Sequence, residues 1–321
     1  MEQERKAQLL EHLVASLCDE RGIDAPATRS ADGLWSAFRA LVNTRPPMPA
    51  DERWLRMQDE LLKGLIEDAG TASVADAVAS SAHPRIRLWR GDITTLAADA
   101  VVNAANSQML GCWRPGHHCI DNAIHTFAGV QLRMECAKIM DAQDHEEPTG
   151  SAKITKAYNL PSRHVIHTVG PIASGHPTAL HRAQLASCYR SCLELADRSR
   201  LSSIALCCIG TGVFGFPQEE AAEIAVHTVR EWLEAARSQI TVVFNVFSDK
   251  DFGDITLFSF SKLHLFKKAF CHPDSREFRY SNTALAVPAW YLPPYRRRSH
   301  RRIPCRAVPI LFAPNDGILT G

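Results

Sequence analysis

Through the first 85 positions apolar residues recur at helical spacing. Leu9, Leu10, Leu13 and Leu17 form one stripe, and Leu34, Trp35, Phe38, Leu41 and Val42 form a second. Arg45-Pro46-Pro47 interrupts, and Trp54, Leu61, Leu62, Leu65 and Ile66 resume on a third helix. No titratable constellation stands out here, so this part reads as packing, with a partner surface as the alternative. From Ile86 the period changes. IRLWRGDIT alternates as a strand and stops at Gly91-Asp92; AADAVVNAAN gives a second strand. The stretch CIDNAIHTFAGVQLRMECAKIM reads as one helix opened by Asp121. GSAKITKAYNL and HVIHTVGP read as strands, then PTALHRAQLASCYRSCLELADRSR as a helix, SSIALCCIG as a buried strand, QEEAAEIAVHTVREWLEAARS as a helix and ITVVFNVFS as the last strand. Strands alternating with helices predict an α/β domain with ligands at the carboxyl ends of its strands.

The periodicity thus divides the chain into a helical region (1–85), an α/β domain (86–251) and a segment without clean period (252–321) that is expected to be irregular. The last contains the basic run Tyr295-Arg296-Arg297-Arg298-Ser299-His300-Arg301-Arg302, either a nucleic-acid or acidic-partner tail or an irregular extension. The sequence DFGDITLF after the last strand is a poor helix former.

Composition changes this picture little. A net charge of +1 gives no whole-protein field toward nucleic acid or membrane. The first helix is amphipathic rather than a signal peptide, and no run approaches the ~20 apolar residues of a membrane span. Ten cysteines without an export signal point to a reducing cytoplasm.

The chemistry concentrates in NAANSQMLGCWRPGHHCIDNAIH, from Asn103 to His125. Cys112, His117 and Cys119 fall within eight residues, followed by Asp121 and preceded by Asn103 and Asn106. Thiolate and imidazole are ligands zinc prefers, and three protein ligands leave a fourth position open. His118 rivals His117 as ligand, and a Cys–His nucleophile pair rivals the metal. Gly210-Thr211-Gly212-Val213-Phe214-Gly215 lies between a strand and a helix, where backbone amides can cradle a diphosphate; a plain glycine turn is the alternative, and its late position argues against a dinucleotide fingerprint. Asp92 ends a strand, as a turn residue or as an acceptor for an exocyclic amine. His125, His164 and His167 lie on helix or strand patterns and read as structural.

Taken in order, GDIT, VVNAAN, CIDNAIH, TGSAKIT…NLPSRHVIHTVGP and IGTGVFGFP resemble the macrodomain, an ADP-ribose-binding three-layer α/β/α fold with a mixed sheet. The Cys-His-Cys insertion resembles the zinc-containing microbial macrodomains, which are similar to protein-ADP-ribose hydrolases. RALVNTRPPMPADERWLRMQDELL looks like the helical extension of that group. The resemblance covers roughly residues 30 to 251.

It implies that Asp92 and Ile93 bind adenine, that Gly210, Thr211, Gly212, Val213 and Phe214 wrap the diphosphate, that Phe214, Asn106 and Asp121 lie at the distal ribose, and that Cys119 and Ile120 also contact ADP-ribose. It implies Zn2+ on Cys112, His117 and Cys119, and an ADP-ribosylated protein as substrate, with Asn106 and Asp121 catalytic and an Asp or Glu ester as the bond cleaved. A serine would be expected at Gly210. The alternatives are a reader that binds ADP-ribose without cleaving it, and a deacetylase acting on O-acetyl-ADP-ribose. A cofactor-free reader has little use for an open metal position.

Overall fold

A computed structural model describes residues 1–81 and 83–259. Three amphipathic helices come first: α1 (Gln3–Asp19), α2 (Ala31–Asn43) and α3 (Glu52–Ala69). Their starts are set locally. The Ser30 hydroxyl accepts from the Gly33 amide, and the Asp51 carboxylate accepts from the amides of Arg53 and Trp54, pairing donors that a helix N-terminus otherwise leaves open. The proline pair between α2 and α3 lies in a turn held by Arg45. Its guanidinium donates to both Glu20 oxygens at 2.8 and 2.9 Å and to the carbonyls of Met48 and Pro49.

The strands are β1 (Ala72–Ser73), β2 (Val78–Ala79), β3 (Ile86–Arg90), β4 (Leu96–Ala97), β5 (Ala100–Ala105), β6 (Ala152–Lys156), β7 (His164–Val169), β8 (Ser203–Leu206) and β9 (Thr241–Val246). β1 and β4 form a short parallel ladder; the other seven form one sheet in the order β2-β3-β9-β8-β5-β7-β6. Its inner pairs are parallel, and only the outermost pairs, β2 with β3 and β6 with β7, are antiparallel. Covered on both faces, the inner strands read as apolar runs rather than as alternation. Between them run α4 (Ile120–Ala128), α5 (Val130–Gln143), α6 (Ala179–Arg198) and α7 (Gln218–Ala236), and α8 (Asp249–Ser259) follows the last strand. The result is the three-layer α/β/α arrangement with a mixed sheet, preceded by a helical region. One contiguous apolar core joins Leu9, Leu13, Phe38 and Leu61 of the leading helices to Val101, Ile166 and Val242 of the sheet.

Three local expectations need correction. The segment read as one helix is two, because the chain turns at Gly129 with φ of +97° between α4 and α5. Asp121 does not cap α4; the N-cap is Cys119, whose sulfur accepts from the Asn122 amide. The residues after the last strand are helical, not irregular, as far as Ser259: α8 packs on α7 and β3 and buries Ile255 and Thr256. Tertiary contact outweighs the weak propensity of this segment. The basic run at 295–302 lies outside the described residues. Among the described residues no helix is long and apolar enough to cross a membrane.

Candidate active site

Parallel strands put their carboxyl ends on one edge of the sheet. The Asp92 turn follows β3, the Cys-His-Cys loop follows β5, and the glycine loop follows β8. β5 and β8 are hydrogen-bonded neighbours, so the Cys-His-Cys loop and the glycine loop leave the sheet side by side. Topology alone therefore gathers segments separated by more than a hundred residues of chain.

After β5 the chain turns back on itself. The Asn106 side-chain oxygen accepts from the Gln108 amide at 3.0 Å, and its Nδ2 donates to the Gly111 carbonyl at 3.1 Å. The loop then brings Cys112, His117 and Cys119 together, their ligand atoms all within 4.8 Å of one another. Cys112 Sγ and His117 Nδ1 lie 3.5 Å apart. With Zn–S near 2.3 Å and Zn–N near 2.0–2.1 Å, a tetrahedral edge between sulfur and nitrogen is about 3.6 Å, so the Cys112–His117 pair is spaced for that ion. His117 belongs to this grouping and its rival His118 does not. The Cys112 thiol is pushed down to about 5, chiefly by the adjoining Cys119 side chain, with the Arg114 backbone and His117 adding to the effect against burial. Cys119 is correspondingly held up, by Cys112 first and by burial second. One sulfur of the pair is thus a thiolate near neutrality, as a metal ligand requires.

Asp121 sits one residue into α4 and is 5% exposed. Asn103 Nδ2 donates to its Oδ1 at 2.8 Å, and Asn106 Nδ2 approaches its Oδ2 at 3.4 Å. Its pKa is pushed up to about 7, by burial first and by the Cys112 thiolate, against the Asn103 hydrogen bond and the Arg133 charge. Behind it the parallel register pairs Asn103 with His167, and the amide nitrogen lies 3.1 Å from His167 Nδ1. His167 Nε2 meets Thr155 Oγ1 at 3.0 Å, and His125 Nε2 stands 3.6 Å from Asp121 Oδ1. Burial drives His167 down to about 3 and His125 down as well, so both are neutral members of the scaffold. His125, Cys136 and His167 also bring ligand atoms within 4.8 Å. The Arg133 charge, which helps to lower His125, opposes a cation there.

In the glycine loop, Gly210 has φ of +78° and Gly215 has φ of +65°. The loop closes on itself through Gly215 N–H to the Gly212 carbonyl and Phe216 N–H to the Gly210 carbonyl. The amides of Ala173 and Ser174 donate to the Phe214 carbonyl, and that of Gly175 to the Gly215 carbonyl. No acceptor takes the amides of Thr211, Gly212, Val213 or Phe214 among the described residues, which suits an anion cradle. Val213 is 79% exposed at its crest. The left-handed conformation at Gly210 gives a reason for glycine where a serine is expected, since a Cβ there is strained even with room around it. Asp92 accepts from Thr94 N–H and Oγ1 at 2.9 and 2.7 Å, both on Oδ1, and Ile93 beside it is buried.

Sequence reasoning singles out Asn103 and reads His167 as structural, but it misses other residues around the site. Asn103 and His167 are polar positions inside otherwise apolar strands, which is a usable signal. Arg133 lies over the Trp113 ring at 4.2 Å, and Asn43, Arg39 and Asn122 bond around the loop. Nothing local marks these, because their partners are remote in the chain.

The Macro domain family matches residues 102–225. The chain is 50% identical over 252 residues to the protein-ADP-ribose hydrolase of Treponema medium, covering 78% of this chain and 96% of that one. It is 46% identical over 266 residues to the protein-ADP-ribose hydrolase of Staphylococcus aureus strain MRSA252, covering 81% and 94%. Among solved structures it is similar to an Oceanobacillus iheyensis macrodomain variant with ADPR, at 38% identity and a TM-score of 0.51, covering 56% of this chain and 96% of that one. It is also similar to the Trypanosoma brucei macrodomain in complex with ADP-ribose, at 30% identity and a TM-score of 0.52, covering 68% and 93%. With half of the 252 aligned residues identical across 96% of a relative, this chain belongs to the macrodomain family, within its protein-ADP-ribose hydrolase branch.

Proposed function

We propose that the chain is a zinc-dependent hydrolase that removes ADP-ribose from modified protein side chains, with an Asp or Glu ester as the bond cleaved. The observation that carries this reading is the convergence of Cys112, His117 and Cys119 at the start of the helix that presents Asp121. The relatives named as protein-ADP-ribose hydrolases support the removal of ADP-ribose from proteins. The Trypanosoma brucei structure supports ADP-ribose as the bound product.

On this reading the adenine lies by Asp92 and Ile93, the diphosphate takes the amides of Thr211 to Phe214, and the distal ribose lies over Asn106, Cys119, Ile120 and Asp121. Zinc held by Cys112, His117 and Cys119 would supply a Lewis acid beside that ribose. Asn106, fixed by its bonds to Gln108 and Gly111, holds a ribose hydroxyl. Water adds to C1 of the ribose as the bond from C1 to the side-chain oxygen breaks. The oxygen leaves as the carboxylate, and Asp121 takes the proton released by water. Asp121 is the buried carboxyl placed for that task, held by the Asn103 and Asn106 amides. A cytoplasmic location accords with the unpaired state of all eight cysteines among the described residues.

The test is single-turnover hydrolysis of an ADP-ribosylated carrier protein, with ADP-ribose affinity measured in parallel. Asp121→Ala is expected to lower kcat by about 100-fold or more while ADP-ribose affinity changes little. Removing zinc by chelation is expected to abolish turnover and zinc addition to restore it. Full activity in the demetallated protein would overturn the metal's role; equal loss of binding and turnover in Asp121→Ala would make Asp121 a binding residue and favour a reader.

A further inference from the structure

We infer that α2, in the helical extension, is a working part of the metal-ligand loop: Asn43 and Arg39 are positioning residues that hold Cys112, His117 and Cys119 in gathering distance. The inference rests on the reading of that triad as a zinc site.

Asn43 is the last residue of α2, 1% exposed, and its side chain bonds both to the loop and to α4 at the loop's end. Its Oδ1 accepts from the Gly116 amide at 3.1 Å and from Asn122 Nδ2 at 2.8 Å, while its Nδ2 donates to Thr126 Oγ1 at 3.0 Å. Gly116 is the residue directly before His117. Arg39, one helical turn earlier on the same face, donates from Nη2 to Asn122 Oδ1 at 3.0 Å and approaches the His117 carbonyl at 3.4 Å.

Asn122 is the hub of this arrangement. Fully buried, it donates from Nδ2 to the Arg114 carbonyl at 3.2 Å and from its backbone to Cys119 Sγ at 3.4 Å. His117 and Cys119 are therefore tied to the extension directly or through one neighbour, and Cys112 through two. His117 is held through its carbonyl and through Gly116. Cys119 is held through Asn122. Cys112 precedes Trp113, whose ring packs on Arg133, and Arg133 donates to the Arg45 carbonyl just beyond α2 at 2.8 Å.

A loop of this length without strand or helix of its own would sample many shapes, and three ligands must meet within a few tenths of an ångström. Partners that orient ligands commonly change metal affinity by 10–100-fold. The extension supplies that order here. The diphosphate loop has no such link to α2, so nucleotide binding and metal binding should separate in variants of these residues.

The test uses the full chain, with Asn43→Ala and Arg39→Met as probes and Glu60→Ala, an exposed partner of Arg5 on α3, as control. Zinc affinity is read by chelator competition, amide exchange of residues 112–119 without added metal, and kcat and KM on the modified carrier protein. We expect both probes to weaken zinc by about 10–100-fold, to speed exchange at Gly116, and to lower kcat while ADP-ribose affinity stays within about twofold; Glu60→Ala should match the wild type. Unchanged zinc affinity in both probes would overturn the proposal. Arg39→Met keeps the packed stem, so it decides the matter if Asn43→Ala fails to fold. If the wild type takes up no zinc, the metal reading falls by itself, and exchange at Gly116 settles whether α2 fixes the loop: faster exchange supports it, unchanged exchange refutes it.

Discussion

His167 shows how a polar residue in a strand interior takes its properties from its surroundings. Its ring is enclosed by the sheet, with Asn103 on one nitrogen and Thr155 on the other, and burial holds its pKa near 3. The native form is the neutral ring, while the unfolded chain binds a proton at the ordinary value of 6.5. Its contribution is therefore full above 6.5 and is lost as pH falls toward about 3. Between pH 7 and 5 this one group should remove about 2 kcal/mol of stability. Thermal melts across that window should fall for the wild type and flatten for His167→Gln; parallel curves would show that other groups govern the acid limb. Asn103 makes a second case, since its donation to Asp121 opposes the effect of burial there. Asn103→Ala should slow turnover more than it weakens ADP-ribose binding, by about 1–3 kcal/mol in the activation barrier, the amount expected for an unsatisfied buried group. Both residues were legible as oddities in apolar strands. Their connection was not, because it depends on the register that sets β5 beside β7.

Element boundaries were legible where a side chain or proline marks them and hidden where the backbone decides. Ser30 and Asp51 announce their helices, and Pro46-Pro47 the gap between them. Gly129 looks like an ordinary interruption in an apolar, helix-spaced run, yet it turns the chain between α4 and α5. A Cβ at Gly129 would lie 2.6 Å from Gln58 Nε2 and 2.7 Å from Gln131 Oε1, in a backbone conformation that L residues rarely adopt. Gly129→Ala should cost about 2 kcal/mol or more in denaturant melts, combining left-handed strain with displaced amides. Gly210→Ala meets only ordinary contacts, the nearest at 3.7 Å, so the strain alone should cost about 1–2 kcal/mol. A smaller loss at Gly129 than at Gly210 would contradict this ordering. The sequence hides α8 for the opposite reason. Its own sequence favours little, and its stability comes from α7 and β3.

For the molecule as a whole, the continuity of the core matters most. The leading helices share buried leucines with the sheet domain, and each fully buried leucine contributes about 1.5–3 kcal/mol. Heating should therefore give one transition reported alike by Trp54 in α3 and Trp89 in β3. A chain starting after α3 should melt well below the full protein or precipitate. Two separated transitions would mean that the extension folds independently. The α/β alternation and the order of its motifs were plain in the sequence, and so was the Cys-His-Cys loop. The role of the extension was not, since an amphipathic helix shows that it packs without showing on what.

The tether between the glycine loop and the segment after β7 has a consequence for how the protein would register a bound nucleotide. Ala173, Ser174 and Gly175 hang from the carbonyls of Phe214 and Gly215, so a diphosphate that stiffens one rim should quieten the other. Spin labels or fluorine probes near His176, which touch no phosphate themselves, would then serve as a remote gauge of occupancy.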